Sequence, residues 1–329
     1  MSYRSEVARQ PESIAACIKS ARQGLQSVDL SPFSSGLIAV TGIGASYAAS
    51  VVVAGELARR GRRAVAMRAV DMIDGTDVAD AIIAMSHRGR SVETVDALKA
   101  QAGVPALAIT KDETSPLALA AGRHIRLDNG NDATPSSTGY TGSLVAAGLL
   151  SESLCGATAT DWDALPGKVA DLLGRAATKM KHIAELFAAR RAIDCVGAVS
   201  SLGTADGASL LIREASRIPA GATDTRHYLH GPMESMDATT GVLVFGDGRE
   251  VRLAEQLDEL GCPVVLITAN GDIDDKGRLT VLRVPAEENR IARGILDIVA
   301  AQLLAAELSD AAGLTDTKFR YRQTDTKIL

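Results

Sequence analysis

Aromatic side chains are scarce in this chain of 329 residues: one Trp, five Tyr and four Phe make up 3% of it. Its cores must therefore be assembled from Ala, Leu, Val and Ile. Cysteines are also few, at positions 17, 155, 195 and 262, with no close pair and no Cys-x-x-Cys. That spacing excludes a cysteine zinc site and argues against a disulfide framework at this length. No stretch reaches the roughly 18 uninterrupted apolar residues of a membrane span. The opening segment Met1–Val7 lacks an apolar signal core, so a cytoplasmic, reducing setting is expected. Positive charge is not in excess either. Thirty-five Lys and Arg against 40 Asp and Glu leave a net charge of −5, which argues against a general nucleic-acid binder with its basic face. The cluster 59–63, with four arginines around Gly61, is short and reads as a solvated helix end whose cations complement the dipole. The five histidines show no His-x-x-x-His ligand spacing, and no metal or cofactor is expected.

What is present is ordinary for a soluble globular enzyme, with 46% hydrophobic and 23% charged residues. The length suits two domains of about 150 residues each. Short apolar runs alternate with longer amphipathic stretches. The runs are 36–40, 64–67, 81–85, 105–109 and 124–127, then 192–196, 241–245, 263–267 and 279–284. Several are apolar throughout instead of alternating, as expected of strands buried on both faces. Helical patterns cover 45–60, 91–101, 141–155, 205–217, 250–260 and 287–309. Alternation of this kind predicts an α/β fold of parallel sheets covered by helices on both sides, a Rossmann-like three-layer sandwich.

The two halves repeat one plan. Each begins with a strand, a turn rich in small residues and a small-residue helix: Val40–Ser46 in the first, Val196–Thr204 in the second. A break at Asp161–Gly167 is followed by a long helix over about 168–190. The expected division is 1–163, with a leading helix, and 164–329, with the bridging helix and a C-terminal tail. That tail, 316–329, is polar and aperiodic, and reads either as a frayed end or as a flap over a site.

Three turns carry hydroxyls toward a common chemistry. Gly42-Ile-Gly44-Ala-Ser46 follows a strand and opens a helix, where free amides and a hydroxyl suit an anion. The full Gly-x-Gly-x-x-Gly is missing, and no acidic residue ends the next strand to hold a ribose, which disfavours a nicotinamide dehydrogenase. Ser86-His-Arg88-Gly89-Arg-Ser91-Val-Glu-Thr94 directly follows a strand. It reads equally as a Ser-capped helix with exposed arginines and as an oxyanion cradle with two guanidiniums. The third, Thr134–Thr141 with Ser136 and Ser137, reads first as a loop with an N-cap and second as a sugar-hydroxyl site. Glu214 and His230 complete the set. Taken alone they read as a solvated helix residue and a loop residue. Together they supply two proton carriers of different strength, as sugar isomerisation requires.

At these motifs the sequence resembles the sugar isomerase (SIS) domain family, in the double-domain arrangement of the isomerase half of glucosamine-6-phosphate synthase. Tagatose-phosphate isomerases and fructosamine-phosphate deglycases are relatives of the same kind. The resemblance spans roughly residues 10–329 and implies two tandem SIS domains without the synthase's glutaminase domain. It implies a phosphate held by Gly44 and Ser46 and by Ser86, Gly89 and Ser91, with Arg88 replacing the family's middle serine. It implies a substrate loop at Ser136 and Ser137, though Thr138 stands where a Lys usually follows. Glu214 falls on the glutamate that relays the proton between the first two sugar carbons. His230 falls on the His-Gly-Pro histidine that opens the ring, reaching the neighbouring subunit's site in a homodimer, and His227 has a supporting role at most. The tail offers Lys318 or Lys327 near the family's terminal lysine, with Arg320 and Arg322 between them, so a cation stabilising an enediolate is the expectation. The implied activity is that of a phosphosugar aldose–ketose isomerase, or an allied amino-sugar phosphate deaminase or deglycase, with no nucleic-acid or membrane partner. The alternative is a non-catalytic sugar-phosphate sensor on the same fold.

Overall fold

The computed structural model describes residues 2–156, 160–314, 318–321 and 323–328. Two helices, α1 (Tyr3–Ala8) and α2 (Gln10–Leu25), precede the first sheet. Its elements run β1 (Leu37–Gly42), α3 (Ala45–Arg59), β2 (Arg63–Arg68), α4 (Ala69–Asp74) and β3 (Ala81–Met85). They continue through α5 (Val92–Ala100), β4 (Ala106–Thr110), α6 (Pro116–Ala121), β5 (His124–Arg126) and α7 (Thr138–Cys155). The long α8 (Leu165–Ala188) leads into β6 (Ala192–Gly197), α9 (Ser200–Ser216), β7 (Ala220–Asp224) and α10 (Thr225–Tyr228). The chain then forms β8 (Thr240–Phe245), α11 (Arg249–Glu259), β9 (Val264–Thr268), β10 (Leu279–Arg283) and α12 (Arg290–Ala311).

The strands form two five-stranded sheets, ordered β2-β1-β3-β4-β5 and β7-β6-β8-β9-β10. Every pairing is parallel. The winding is the same in both, so the repeat expected from the sequence is a repeat of topology. Apolar runs became central strands for the reason given above: β3, β4, β8 and β9 are buried at every residue. β7 escaped the sequence reading because it is an edge strand. Its sequence, Ala-Gly-Ala-Thr-Asp, buries only Ala220 and carries no apolar run.

The halves are welded together. A single apolar cluster runs from Tyr3 to Leu308 and joins Ile83 and Leu107 of the first sheet's layer to Leu243 and Val265 of the second. Helix α12 lies in its middle, with every residue from Ile295 to Ala306 buried, the pattern of a helix surrounded by protein. Among the described residues, no helix is long and apolar enough to cross a membrane.

The weld is tightest where α3 meets α9. Gly42, Gly44 and Ser46 recur as Gly197, Val199 and Ser201, and the same register pairs Ala48 with Gly203. Those two positions touch: a Cβ on Gly203 would stand 2.5 Å from the Ala48 carbonyl oxygen and 2.8 Å from the Val52 nitrogen. Equivalent positions in contact mean that the two helices cross about a local two-fold axis. The repeated turn even keeps its backbone shape, with Gly44 at φ 58°, ψ −128° and Val199 at φ 54°, ψ −118°. A β-branched residue at positive φ is strained by about 1–3 kcal/mol.

Opposite changes at these two sites should therefore move stability in opposite directions. Gly203→Ala, which overpacks the crossing, is expected to cost about 1–3 kcal/mol in denaturant unfolding. Val199→Gly should gain up to about 1 kcal/mol, since its side chain is exposed and only the strain is lost. A stable Gly203→Ala variant would refute the close crossing.

Candidate active site

A cavity of about 540 Å³ opens at the carboxyl ends of β1 and β3. In the order β2-β1-β3 the chain reverses direction between those two strands, and open parallel sheets bind ligands at such a switch point. The floor is built by two strand-to-helix turns. After β1, the turn at Gly44 brings Ala45 and Ser46 to the cavity as α3 begins. After β3, Ser86 and Ser91 flank a tight loop, their hydroxyls 3.2 Å apart and both nearly buried. Ser91 stands at the N-cap of α5 but makes no capping bond. Its hydroxyl faces the cavity and accepts from Lys327 instead. The loop closes because Gly89 adopts φ +64° against Ser115: a Cβ there would lie 2.0 Å from Ser115 Oγ. Gly89 itself does not line the cavity; it shapes the turn that does. Arg88 and Arg90 project from the same loop and line the cavity with His87.

The roof comes from the second half. Helix α9, crossing α3, presents Leu210 and Glu214, four residues apart and hence on one face. The Glu214 carboxyl is pushed up to about 7 by burial, the one cause acting on it. At neutral pH it is thus divided between acid and base forms, which suits a group that takes and returns a proton. Tyr3, on α1, is fully buried with no partner for its hydroxyl. Its phenol is held well above its ordinary value by burial, then by the charges of Asp132 and Glu214.

The wall is the segment before α7. Asp132 lines the cavity and organises the loop: it accepts from Ser136 Oγ at 2.6 Å, from the Ser137 and Thr138 amides, and from the Gly139 amide at 2.9 Å. Ser136 therefore reaches the cavity with its hydroxyl proton already engaged. Ser137 does not reach it. Its side chain is fully buried and its hydroxyl also donates to Asp132, while its carbonyl accepts from Gln302. Asp132 and His87 line the cavity, though the sequence reading did not single them out. His87 bonds Asn129 Oδ1 at 3.1 Å, and burial above all holds its imidazole below the ordinary range.

The tail is ordered where it meets the cradle. The Val92 amide donates to the Thr326 carbonyl and the Ile328 amide to the Arg90 carbonyl, so 326–328 lies antiparallel to 90–92. This brings Lys327 into the cavity, its Nζ donating to Ser91 Oγ at 2.8 Å. Burial lowers the Lys327 ammonium from its ordinary value. Phe319 also lines the cavity, whereas Lys318 and Arg320 are exposed and do not. Arg322 lies outside the described residues. His230 is exposed beyond α10, its amide on the His227 carbonyl, and is not part of this cavity within one chain. Among the described residues no group of His, Cys, Asp and Glu is arranged to hold a metal ion.

The local two-fold creates a counterpart cavity of about 480 Å³ around Ser200, Ser201 and the turn after β8. Its chemistry is different. Arg59 takes the place of Glu214 in the register above, and Asp247, Glu250 and Glu287 stand where the first cavity has hydroxyls and arginines. Asp247 and Arg293 pair at 2.7 Å across it.

The fold is α/β, with a cleft at the carboxyl ends of parallel strands. Residues 33–154 match the model of the SIS domain. Several solved structures share the whole architecture. The C-terminal domain of glucosamine-fructose-6-phosphate aminotransferase from Francisella tularensis superposes with a TM-score of 0.81 at 18% identity, covering 96% of this chain and 97% of that one. Glucosamine-6-phosphate deaminase from Thermotoga maritima gives 0.80 at 18%, covering 98% of each. Tagatose-6-phosphate ketose/aldose isomerase from Escherichia coli gives 0.80 at 17%, covering 98% and 96%. No curated protein matches this chain in sequence. At such identities the likeness establishes the fold.

The position of Glu214 has a consequence for stability. A carboxyl raised from 4.5 to about 7 binds its proton more tightly in the folded state. Folding is then penalised progressively as pH rises from 4.5 through about 7. The penalty is full above that range and absent below it. Glu214→Gln should match the wild type at pH 4 and exceed it above pH 8 by up to about 3 kcal/mol. Unfolding curves that stay parallel across pH would show that the carboxyl is not desolvated.

Proposed function

We propose that this chain is a phosphosugar aldose–ketose isomerase, or an allied amino-sugar phosphate deaminase or deglycase. It is read as two tandem SIS domains, 1–163 and 164–329. The observation that carries the reading is that Glu214, held at about 7, lines the same cavity as Ser46, Ser86 and Ser91. Anchoring a terminal phosphate on the floor fixes the sugar's far carbons under the roof, converting remote binding into orientation. Glu214 then takes a proton from the carbon next to the carbonyl and returns it to the neighbour through an enediol or enediolamine. Lys327 stands on Ser91, at the phosphate end, and so serves as part of the anion grip, not as the nucleophile toward a carbonyl at the other end. The charge of Glu214 is felt by the buried Tyr3 phenol, as is that of Asp132.

Ring opening is assigned to His230 acting across a homodimer. Its exposure on the second half is what a group serving a partner's cavity requires. The same exposure is also what a non-catalytic sugar-phosphate sensor would show, which makes the sensor the second reading.

Two measurements decide between them. Hexose, ketose, amino-sugar and glycated-amine phosphates should raise the melting midpoint, because ligands of the folded state stabilise it by mass action. Turnover of any such ligand should rise as Glu214 loses its proton through pH about 7. Glu214→Gln should lose about 10²–10⁴-fold in turnover while keeping the ligand-induced shift. Ammonia release would separate deaminase from isomerase. A shift without turnover of any ligand would establish the sensor instead.

The shared-site assignment has its own check. Glu214→Gln and His230→Asn homodimers should each be inactive, and mixing them after dissociation should restore activity, since a hybrid then holds one intact site. Failure to recover activity in a mixture shown to contain hybrids would place ring opening elsewhere.

A further inference from the structure

The Ser86–Ser91 loop has two sides. Its inner side is the cradle. On its outer side lies a second cavity of about 440 Å³, lined by Arg88, Arg90, Lys111 and Arg126 together with Asp112 and Glu113. Arg88 and Arg90 line both cavities, so the two are joined through the pair of guanidiniums. The two acids offset only half of the charge of these four cations. Asp112 is turned into its own loop, where it accepts from the Thr114 amide at 2.9 Å and the Thr114 hydroxyl at 2.7 Å. The Arg88 and Arg126 side chains have no hydrogen-bond or ion-pair partner among the described residues. Lys111 donates to the Gly130 carbonyl, which fixes its position and leaves its charge uncompensated. Arg90 makes only a long contact, 3.4 Å, with the Ile328 carbonyl.

On the inner side, Ser46, Ser86, Ser91 and Lys327 already provide donors and a positive charge for one phosphate. Lys111 and Arg126 add two cations to the shared Arg88 and Arg90, in excess over Asp112 and Glu113, and guanidiniums are built to grip oxyanions bidentately. More positive charge converges here than a single phosphate monoester can use.

We propose that the anionic end of the ligand is longer than one phosphate. The first phosphate rests on Ser46, Ser86, Ser91 and Lys327; a second anionic group passes between Arg88 and Arg90 into the outer cavity and is received by Arg126 and Lys111. The ligand class is a sugar whose terminal phosphate carries a further phosphoryl or carboxylate group. Arg88, standing where a serine would serve a simple phosphate, is the specificity-determining residue. This inference rests on the reading of the inner cavity as a phosphate cradle.

Calorimetric titration of the full chain with orthophosphate, pyrophosphate and phosphonoacetate separates the two layers of the argument. Pyrophosphate or phosphonoacetate, each carrying two anionic groups, should bind at least about tenfold more tightly than orthophosphate. The better of the two identifies the second group as phosphoryl or carboxylate. Arg126→Gln and Arg88→Ser should remove most of that margin, with Arg126→Gln leaving orthophosphate binding unchanged. Arg175→Gln, which removes a cation from distant α8, should change nothing. Ser86→Ala should weaken all three ligands. Orthophosphate binding that depends on Ser86, with no margin for the longer anions or a margin indifferent to Arg126, overturns the extension and leaves the cradle standing. Absence of binding by any of the three anions overturns the cradle itself.

Discussion

The site depends on the crossing of α3 and α9. These helices follow equivalent strands of the two sheets and meet near the axis that relates the halves, at Gly203 and Ala48. Because the second half's helix passes directly over the first half's turn, Leu210 and Glu214 arrive above Ser46 without any loop to carry them. A wider separation, as any side chain at 203 would impose, lifts the carboxyl away from the cradle. The permissiveness of one glycine thus sets the height of the cavity roof.

Symmetry in the backbone is not matched by symmetry in chemistry. Both cavities have a floor of strand-to-helix turns and a roof from the opposite helix. The first pairs a hydroxyl and arginine floor with a carboxyl roof. Its counterpart has acids below and Arg59 above, and closes on itself through the Asp247–Arg293 ion pair. An anion introduced there would meet carboxylates and would have to break a salt bridge. The shared topology supplies two scaffolds, and side-chain charge makes their cavities chemically different. The strained Val199 keeps in the second turn the bend that Gly44 makes in the first.

How much of this was legible in the chain follows the range of the interaction concerned. Ser86, Gly89 and Ser91 lie within six residues of each other, and their arrangement is dictated by a strand end and a helix start, both visible as patterns. Glu214 could be singled out by resemblance, but its burial and raised proton affinity depend on the packing of α9 against segments remote in sequence, α3 among them. Asp132 was overlooked because an acid in a polar loop has no periodicity. The clue available was its position just ahead of Ser136, Ser137 and Thr138, whose amides and hydroxyls needed an acceptor. Ser137 shows the converse, a residue of the right type pointed the wrong way by the same acid.

The tail makes the division clear. Its polar, aperiodic composition is compatible with a frayed end, and nothing local says that Lys327 matters. Only the pairing of 326–328 with 90–92 places its ammonium on Ser91. The sequence by itself determined the alternation of strands and helices, the repeat of topology, and the place of the hydroxyl-rich turns, because apolar periodicity and turn chemistry are short-range properties. Tertiary structure alone decided which helix roofs the cradle, which hydroxyls face it, and how many cations converge there. Those are matters of distance between segments far apart in the chain, and a linear pattern does not encode distance.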